Sequence, residues 1–452
     1  MVKKGSTYRC GECGYEAPKW VGRCPECQAW GTLEERGDAR PAIARVAAGA
    51  PSAPARPIGE VDVETARAKP TGVSELDRVL GGGFVPGAVI LLAGEPGVGK
   101  STLLLEVAYQ WAATAGRALY VTGEESAGQV RLRAERTGNV HDEMFLAAES
   151  DLSAILGHVD AVKPGVLIVD SVQTMASPQV EGAPGGVTQV RAVTSGLVAL
   201  AKERGLPIVL VGHVTKDGSV AGPRVLEHLV DVVLQFEGDK HSTLRMLRGI
   251  KNRFGAADEI GCFELVEEGI VGVPDPSGLF LSHTAEPVAG TAVTVTMEGK
   301  RPLLGEVQAL VSATQSPQPR RAVSGLDSAR VAMVLAVVEK RAGIKVGDKD
   351  VYVATVGGMK ITEPGIDLAV VLALMSSARD TPLSPKLVAM GEVGLSGEVR
   401  RVPSVGRRLA EAARLGFTYA LVPPDSGKIP PGIRVLEVSD VGSALNAAKH
   451  AR

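Results

Sequence analysis

The stretch "AVILLAGEPGVGKSTLLLEVA", residues 88–108, decides how the rest of the chain is read. An apolar run of strand length leads into "GEPGVGKST", and a helically spaced apolar run follows it. GxxxxGK[ST] set between strand and helix is a phosphate loop: its glycines let backbone N–H groups turn inward around phosphate oxygens at a helix N-terminus. Gly94, Glu95, Pro96, Gly97, Val98, Gly99, Lys100, Ser101 and Thr102 are the expected nucleotide-binding residues. Lys100 would reach the β- and γ-phosphates, and the Ser101 hydroxyl would join a Mg2+ shell.

Further short apolar runs alternate with helical stretches on the C-terminal side: "RALYVTG" (117–123), "GVLIVDS" (165–171), "LPIVLVGH" (206–213) and "VDVVLQF" (230–236). Runs that are apolar at every position, not at alternate ones, predict strands buried on both faces, hence an α/β fold with a parallel sheet between helical layers. Ligands of such sheets bind at the carboxyl ends of the strands. Asp170 stands at one such end, where a carboxylate is costly without a partner and Mg2+ supplies one. Glu124 and Glu125 stand at another, and either one could orient the attacking water or merely favour a helix N-terminus. ATP hydrolysis with Mg2+ is the expected chemistry.

Four of the five cysteines lie in the first 27 residues, as Cys10-x2-Cys13 and Cys24-x2-Cys27 separated by ten residues. Two such knuckles place four soft thiolates for a tetrahedral Zn2+, and four thiolates leave no open coordination position, so the metal role is structural. A segment this short has no core of its own, and the metal supplies its folding energy. Cys262 reads as a core residue in an apolar strand.

Composition bounds the rest. A net charge of −2 excludes a uniformly basic nucleic-acid coat, and 4% aromatic residues argues against base stacking as the main mode of recognition. The sequence shows no apolar leader and no run of about 20 apolar residues for a membrane span, so a cytoplasmic protein without a membrane partner is expected. Four parts are expected: a zinc ribbon over 1–32, a flexible Ala/Pro/Arg/Gly linker over 33–68, the nucleotide-binding domain over 69–285, and a third, α+β domain over 286–452.

One local concentration of charge stands out. From Lys240 to Gly255 the chain holds Lys240, Arg245, Arg248, Lys251 and Arg253 and not one carboxylate, and it ends in "KNRFG" (251–255). A solvated edge gains nothing from such exclusion of acids; an active-site element or a phosphate contact does.

The ribbon, "TGVSELDRVLGGGFVPGAVILLAGEPGVGKSTLLLEVA" (71–108), "KNRFG" and the C-terminal region together resemble the RadA (Sms) family of bacterial DNA repair proteins, ATPases of the RecA/DnaB type. The likeness covers nearly everything except the linker. It implies a RecA-like P-loop core carrying an N-terminal zinc ribbon and a C-terminal domain like that of Lon protease. It further implies a hexameric ring, stimulated by DNA, that promotes branch migration and unwinding of recombination intermediates. Single-stranded and branched DNA, the RecA recombinase and a replicative helicase are the implied partners. "VTGEESAGQV" (121–130) places the water-activating carboxylate on Glu124, and "VGHVTKDG" (211–218) places a γ-phosphate sensor on His213, where RecA itself has glutamine. "KNRFG" resembles the motif from which one subunit extends cations to its neighbour's nucleotide, here Lys251 and Arg253, although direct DNA contact by the same residues stays open. The loops "TMASPQVEGAPGGVTQVR" (174–191) and "TKDGSVAGPR" (215–224) fall where such rings line their channel, with Lys216 and Arg224 as candidate phosphate contacts.

The Lon-like likeness raises a rival activity, peptide cleavage by a serine–lysine dyad. Ungapped alignment puts Gly365 of "EPGIDLAVVLALMSS" at the serine position and Gly406 of "VPSVGRR" at the lysine position, so both catalytic groups are missing; a substitute pair would be Ser376 and Lys360. The domain is therefore expected to be inactive as a protease and to offer Arg400, Arg401, Arg407 and Arg408 to DNA phosphates. A third reading is an ATP-gated assembly factor that recruits other recombination proteins.

Overall fold

A computed structural model describes residues 8–35, 55–60, 63–213, 225–238, 242–281, 286–314, 316 and 318–451. The chain forms two compact units, one within 1–62 and one within 63–452.

The first unit is a three-stranded antiparallel sheet in the order β2-β1-β3, from β1 (Tyr8–Cys10), β2 (Glu16–Ala17) and β3 (Leu33–Glu35). Among the described residues its apolar interior is Cys10, Ala17, Cys24 and Leu33, with Tyr8 packed alongside. Leu33 belongs to that interior, so the fold of the ribbon runs past the expected boundary at 32.

The second unit contains two sheets. After α1 (Ser74–Leu80), the nine-stranded sheet is built from β4 (Val89–Gly94), β5 (Ala118–Thr122), β6 (Met144–Ala148), β7 (Val166–Asp170), β8 (Ile208–His213), β9 (Val232–Glu237), β10 (Leu244–Asn252), β11 (Ile260–Val266) and β12 (Gly269–Gly272). Their order is β12-β11-β10-β9-β4-β8-β7-β5-β6, parallel from β9 to β6 and antiparallel from β9 to β12. Helices α2 (Lys100–Thr114), α3 (Ala127–Arg136), α4 (Leu152–Val162) and α5 (Val187–Arg204) cross between the parallel strands. Strand β4 shows why the pattern is continuously apolar: Ile90 and Leu92 face the core beneath α2, while Val89 and Leu91 face the core beneath α4 and α5. The α/β sheet read from the sequence is thus the observed one, and Cys262 is fully buried in β11.

The second sheet has the order β15-β16-β14-β13-β17-β20-β21, from β13 (Thr291–Glu298), β14 (Arg301–Ala313), β15 (Arg321–Ser324), β16 (Lys349–Thr355), β17 (Leu387–Ala389), β20 (Tyr419–Val422) and β21 (Arg434–Glu437), with a separate hairpin of β18 (Glu392–Val393) and β19 (Val399–Arg400). It mixes antiparallel and parallel pairs. Helix α7 (Asp367–Ala378) is buried along almost its whole length against this sheet, and α6 (Ser328–Ala342) and α9 (Val441–His450) add their apolar faces to the same core. A buried ion pair joins the two sheets: Arg301, first residue of β14, reaches Glu75 of α1 at 2.5 Å, and the same Glu75 oxygen accepts the backbone N–H of Cys262 at 2.8 Å.

Candidate nucleotide site and metal centre

The phosphate loop leaves β4 at Gly94, where a β-carbon would stand 2.5 Å from the Phe236 carbonyl oxygen; glycine is required for the strands to approach this closely. Gly99, at φ +108°, supplies the left-handed turn that starts α2. The Lys100 ammonium is buried and donates to the carbonyl oxygens of Gly94 and Glu95, both at 2.9 Å. Burial lowers its pKa, and the carboxylates of Asp170 and Glu124 work against that shift. A cation held in a mouth of oxygen acceptors is suited to exchange them for phosphate oxygens.

Because β4, β8, β7 and β5 are parallel neighbours, their carboxyl ends meet on one edge. Asp170 ends β7, almost wholly buried, and its Oδ2 accepts the Tyr120 hydroxyl at 2.6 Å. Burial, with the Asp170 charge, pushes the Tyr120 phenol well above its ordinary pKa, so it remains a donor; Ser101 lies beside the same hydroxyl. The peptide between Asp170 and Ser171 is cis. Oε1 of Glu124 accepts the Ser171 hydroxyl at 2.5 Å and lies 3.1 Å from Nε2 of His213, the last residue of β8. Glu125 instead turns to Arg133 at 2.6 Å. Lys100, Glu124, Asp170 and His213 are therefore brought to one edge, and Ser101 and Asp170 present the oxygen atoms that a hard cation such as Mg2+ takes.

Tyr120 and Ser171 are not legible as site residues in the sequence, nor is the role of Arg245 at the phosphate loop. A tyrosine inside an otherwise apolar strand needs a hydroxyl partner, which was the available signal. Arg245 came from the basic stretch, but its Nε donates to the Val98 carbonyl within the phosphate loop at 3.0 Å, so it braces the loop from beneath. The stretch is divided further. Arg248 pairs with Glu298 at 3.0 Å. Lys251 donates to the carbonyls of Glu227 (2.6 Å) and Val230 (2.8 Å), and Arg253 lies 3.7 Å from Asp231. Lys240, Lys216 and Arg224 lie outside the described residues.

Register separates "KNRFG" from the chain's own phosphate loop. Lys251 pairs with Val233 and Asn252 with Val232, which stand beside Leu91 and Ile90, whereas Gly94 stands beside Phe236. Arg253 is thus level with the start of β4, five residues and on the order of 16 Å from the loop.

In the C-terminal region Arg400, Arg401 and Arg407 are exposed, Arg400 beside Glu398 and Arg401 beside Asp425 at 2.7 Å. Arg408 corrects the expectation that it meets DNA. It is fully buried in α8 (Val405–Arg414), takes both oxygens of Glu363 at 2.6 and 2.7 Å, and donates to the Val295 carbonyl at 2.6 Å. No donor face remains for a phosphate. Burial alone would raise the Glu363 pKa, but the Arg408 pair outweighs it and holds the group below its usual range. This pair abuts Gly365, the expected serine position of the dyad: a β-carbon there would stand 3.5 Å from the Arg408 guanidinium. Ser376, the substitute nucleophile, is buried with its hydroxyl committed to the Gly290 N–H (2.8 Å) and the Thr381 carbonyl (2.7 Å).

In the first unit the Sγ atoms of Cys10, Cys13, Cys24 and Cys27 all lie within 4.8 Å of one another, with Cys10–Cys27 at 3.7 Å and Cys13–Cys24 at 3.6 Å. A tetrahedron of thiolates about 2.3 Å from Zn2+ has edges of about 3.8 Å, so the four residues fit that ion. Trp20 and Trp30 stand on the same unit with 60% and 73% of their surfaces exposed.

Comparison with known proteins identifies the relatives of this chain. Residues 54–219 match a family described as an AAA domain, and residues 8–35 match a rubredoxin metal binding domain. A DNA repair protein RadA of Mycolicibacterium smegmatis is 58% identical over 98% of this chain and 97% of its own length. Proteins of the same name from Mycobacterium tuberculosis (56%, 98% of this chain and 93% of theirs) and Streptococcus pyogenes (48%, 99% of both) are also similar. Among solved structures, a KaiC-like protein from Pyrococcus horikoshii covers 46% of this chain and 100% of its own at 24% identity, with a TM-score of 0.39. With nearly the whole of its length matched at such identities, this chain belongs to the RadA family of DNA repair proteins.

Proposed function

We propose that the chain is a DNA-dependent ATPase that works as a hexameric ring on recombination intermediates, promoting branch migration and strand unwinding. The observation that carries this reading is the position of "KNRFG" at the end of the sheet away from the chain's own phosphate loop. At that register its cations lie away from the loop: Arg253, more than half exposed, can meet the nucleotide of an adjacent subunit, and Lys251 would exchange the Glu227 and Val230 carbonyls for phosphate oxygens there.

ATP and Mg2+ would be held by residues 94–102 with Ser101 and Asp170, the cation neutralising charge on the transferred phosphoryl group. Lys100 stabilises the β- and γ-phosphates. Glu124 orients the attacking water, and His213, hydrogen-bonded to Glu124, connects that carboxylate to the γ-phosphate position. Lys251 and Arg253 of the neighbour add positive charge in the transition state, an effect of about 10³–10⁵ in rate where such fingers operate. Arg400, Arg401 and Arg407, all exposed, are the proposed phosphate contacts in the C-terminal region, and Lys216 and Arg224 are the candidates proposed from sequence for the channel. Salt-dependent, sequence-tolerant binding of single-stranded and branched DNA follows.

The ribbon holds Zn2+ and is the meeting point for the RecA recombinase or a replicative helicase in the cytoplasm. Its exposed Trp20 and Trp30 favour the second reading, an ATP-gated assembly factor. Branch migration of a three-stranded joint molecule by the purified chain alone decides between them. Movement that requires ATP and is lost in Lys100→Ala supports the motor; hydrolysis with no movement until another recombination protein is added supports the assembly factor.

A further inference from the structure

We propose that Asp231 is a positioning residue for the cation finger, aiming Arg253 outward while fastening it to the root of the subunit's own phosphate-loop strand. The proposal rests on the trans reading above and adds a residue to it.

Asp231 lies immediately before β9 and is almost wholly buried, yet its polar groups are distributed over two functional elements. Toward the phosphate loop, its N–H donates to the Val89 carbonyl at 2.9 Å and its Oδ2 accepts the Val89 N–H at 3.0 Å. Val89 is the first residue of β4, the strand that ends in the loop. Toward the finger, its carbonyl accepts the Arg253 N–H at 3.3 Å and its Oδ1 faces the Arg253 guanidinium at 3.7 Å. One residue thus holds Val89 at two points and Arg253 at two points.

Lys202, at the C-terminal end of α5, completes the clamp. Its ammonium donates to Asp231 Oδ2 at 2.8 Å and stands 6.0 Å from the centre of the Phe254 ring, the residue after Arg253. Lys251 is held by the adjoining turn, through the carbonyls of Glu227 and Val230. Arg253 nonetheless stays more than half exposed. A guanidinium has five donors in a fixed fork, and with Nη1 facing Asp231 the exposed remainder of the fork stays open to a neighbouring subunit. A buried carboxylate that served only the fold would be satisfied by the Val89 N–H and Lys202. Arg253 at the same carboxylate gives the finger a fixed direction, and misplacing a catalytic group by about 1 Å costs about 10²-fold.

The test uses full-length chains mixed in pairs before assembly, with DNA-stimulated ATPase as readout. Asp231→Asn alone should lose about 10²-fold in turnover with its affinity for a fluorescent ATP analogue unchanged. Mixed with Lys100→Ala, which cannot use its own site but has an intact finger, Asp231→Asn should regain activity; mixed with Arg253→Ala it should not. The reverse pattern, regain with Arg253→Ala and none with Lys100→Ala, would overturn the proposal and assign Asp231 to its own phosphate loop through Val89. The control pair Lys100→Ala with Arg253→Ala keeps the two ideas apart, because failure of that pair to regain activity refutes the trans reading itself. Should Asp231→Asn not fold, Lys202→Met, a change at a half-exposed side chain, should show the same pairing pattern with a smaller loss, and a Lys202→Met chain as active as wild type would overturn the clamp.

Discussion

His213 and Glu124 are hydrogen-bonded, Nε2 to Oε1 at 3.1 Å, and that same oxygen takes the Ser171 hydroxyl at 2.5 Å. The proposed water-orienting carboxylate is thus fixed by two strand ends at once. Glu124→Gln should lower kcat by about 10²–10⁴-fold without weakening nucleotide binding. His213→Ala should lower it less, and the double variant should be no worse than Glu124→Gln alone, because the two side chains act as a unit. Single-turnover hydrolysis with a separate binding measurement checks this; additive losses would show that they act independently.

Tyr120 holds Asp170 through a single buried hydrogen bond. Tyr120→Phe keeps the volume and removes that donor, at a cost of about 1.5–3 kcal/mol for a bond to a charged group. The Mg2+ concentration required for half-maximal ATPase should rise, with the thermal transition displaced by a few degrees at most. An unchanged Mg2+ dependence would remove Asp170 from the proposed metal shell.

Arg408 and its neighbours should behave in opposite ways. Arg408→Met leaves the Glu363 carboxylate without its partner and should destabilise the protein by about 3–5 kcal/mol, as breaking buried pairs does. Arg401→Ala and Arg407→Ala should leave stability within about 0.5 kcal/mol and weaken DNA binding with a shallower salt dependence. Chemical denaturation and DNA titrations at several salt concentrations make the comparison.

Zinc removal should be local. Structural zinc supplies about 10–16 kcal/mol in small domains, and the ribbon interior is four side chains. Chelation, or Cys24→Ala, should change the emission of the exposed Trp20 and Trp30 while the buried Trp111 and the main thermal transition stay as they were. A shift of the main transition would contradict a self-contained ribbon.

Much of this architecture was written in local patterns. The phosphate loop is legible because strand, glycines, Lys100 and helix are contiguous, and the zinc centre because both knuckles repeat one spacing. The supports were not legible, because they join positions far apart: Asp231 meets Val89 across 142 residues and Arg245 meets Val98 across 147. Arg408 is different. Val405, Arg408, Leu409 and Ala412 follow helical spacing and form the buried face of α8, so periodicity already placed that arginine inside. The density of arginines in "VRRVPSVGRR" points the other way, toward phosphates, and burial on the helix face prevails. The basic stretch before Gly255 shows the same limit, since a strand spreads consecutive cations along its length: Arg245 supports the loop at one end and Arg253 extends from the other.

In the proposed assembly a bound triphosphate lies between two subunits and is completed by cations from the second. ATPase activity per chain, measured against chain concentration with and without single-stranded DNA, tests it most directly. Activity should rise with concentration as rings assemble, reach a plateau, and be raised further by DNA. A dilute monomer hydrolysing ATP at the full rate, unaffected by concentration or DNA, would contradict it.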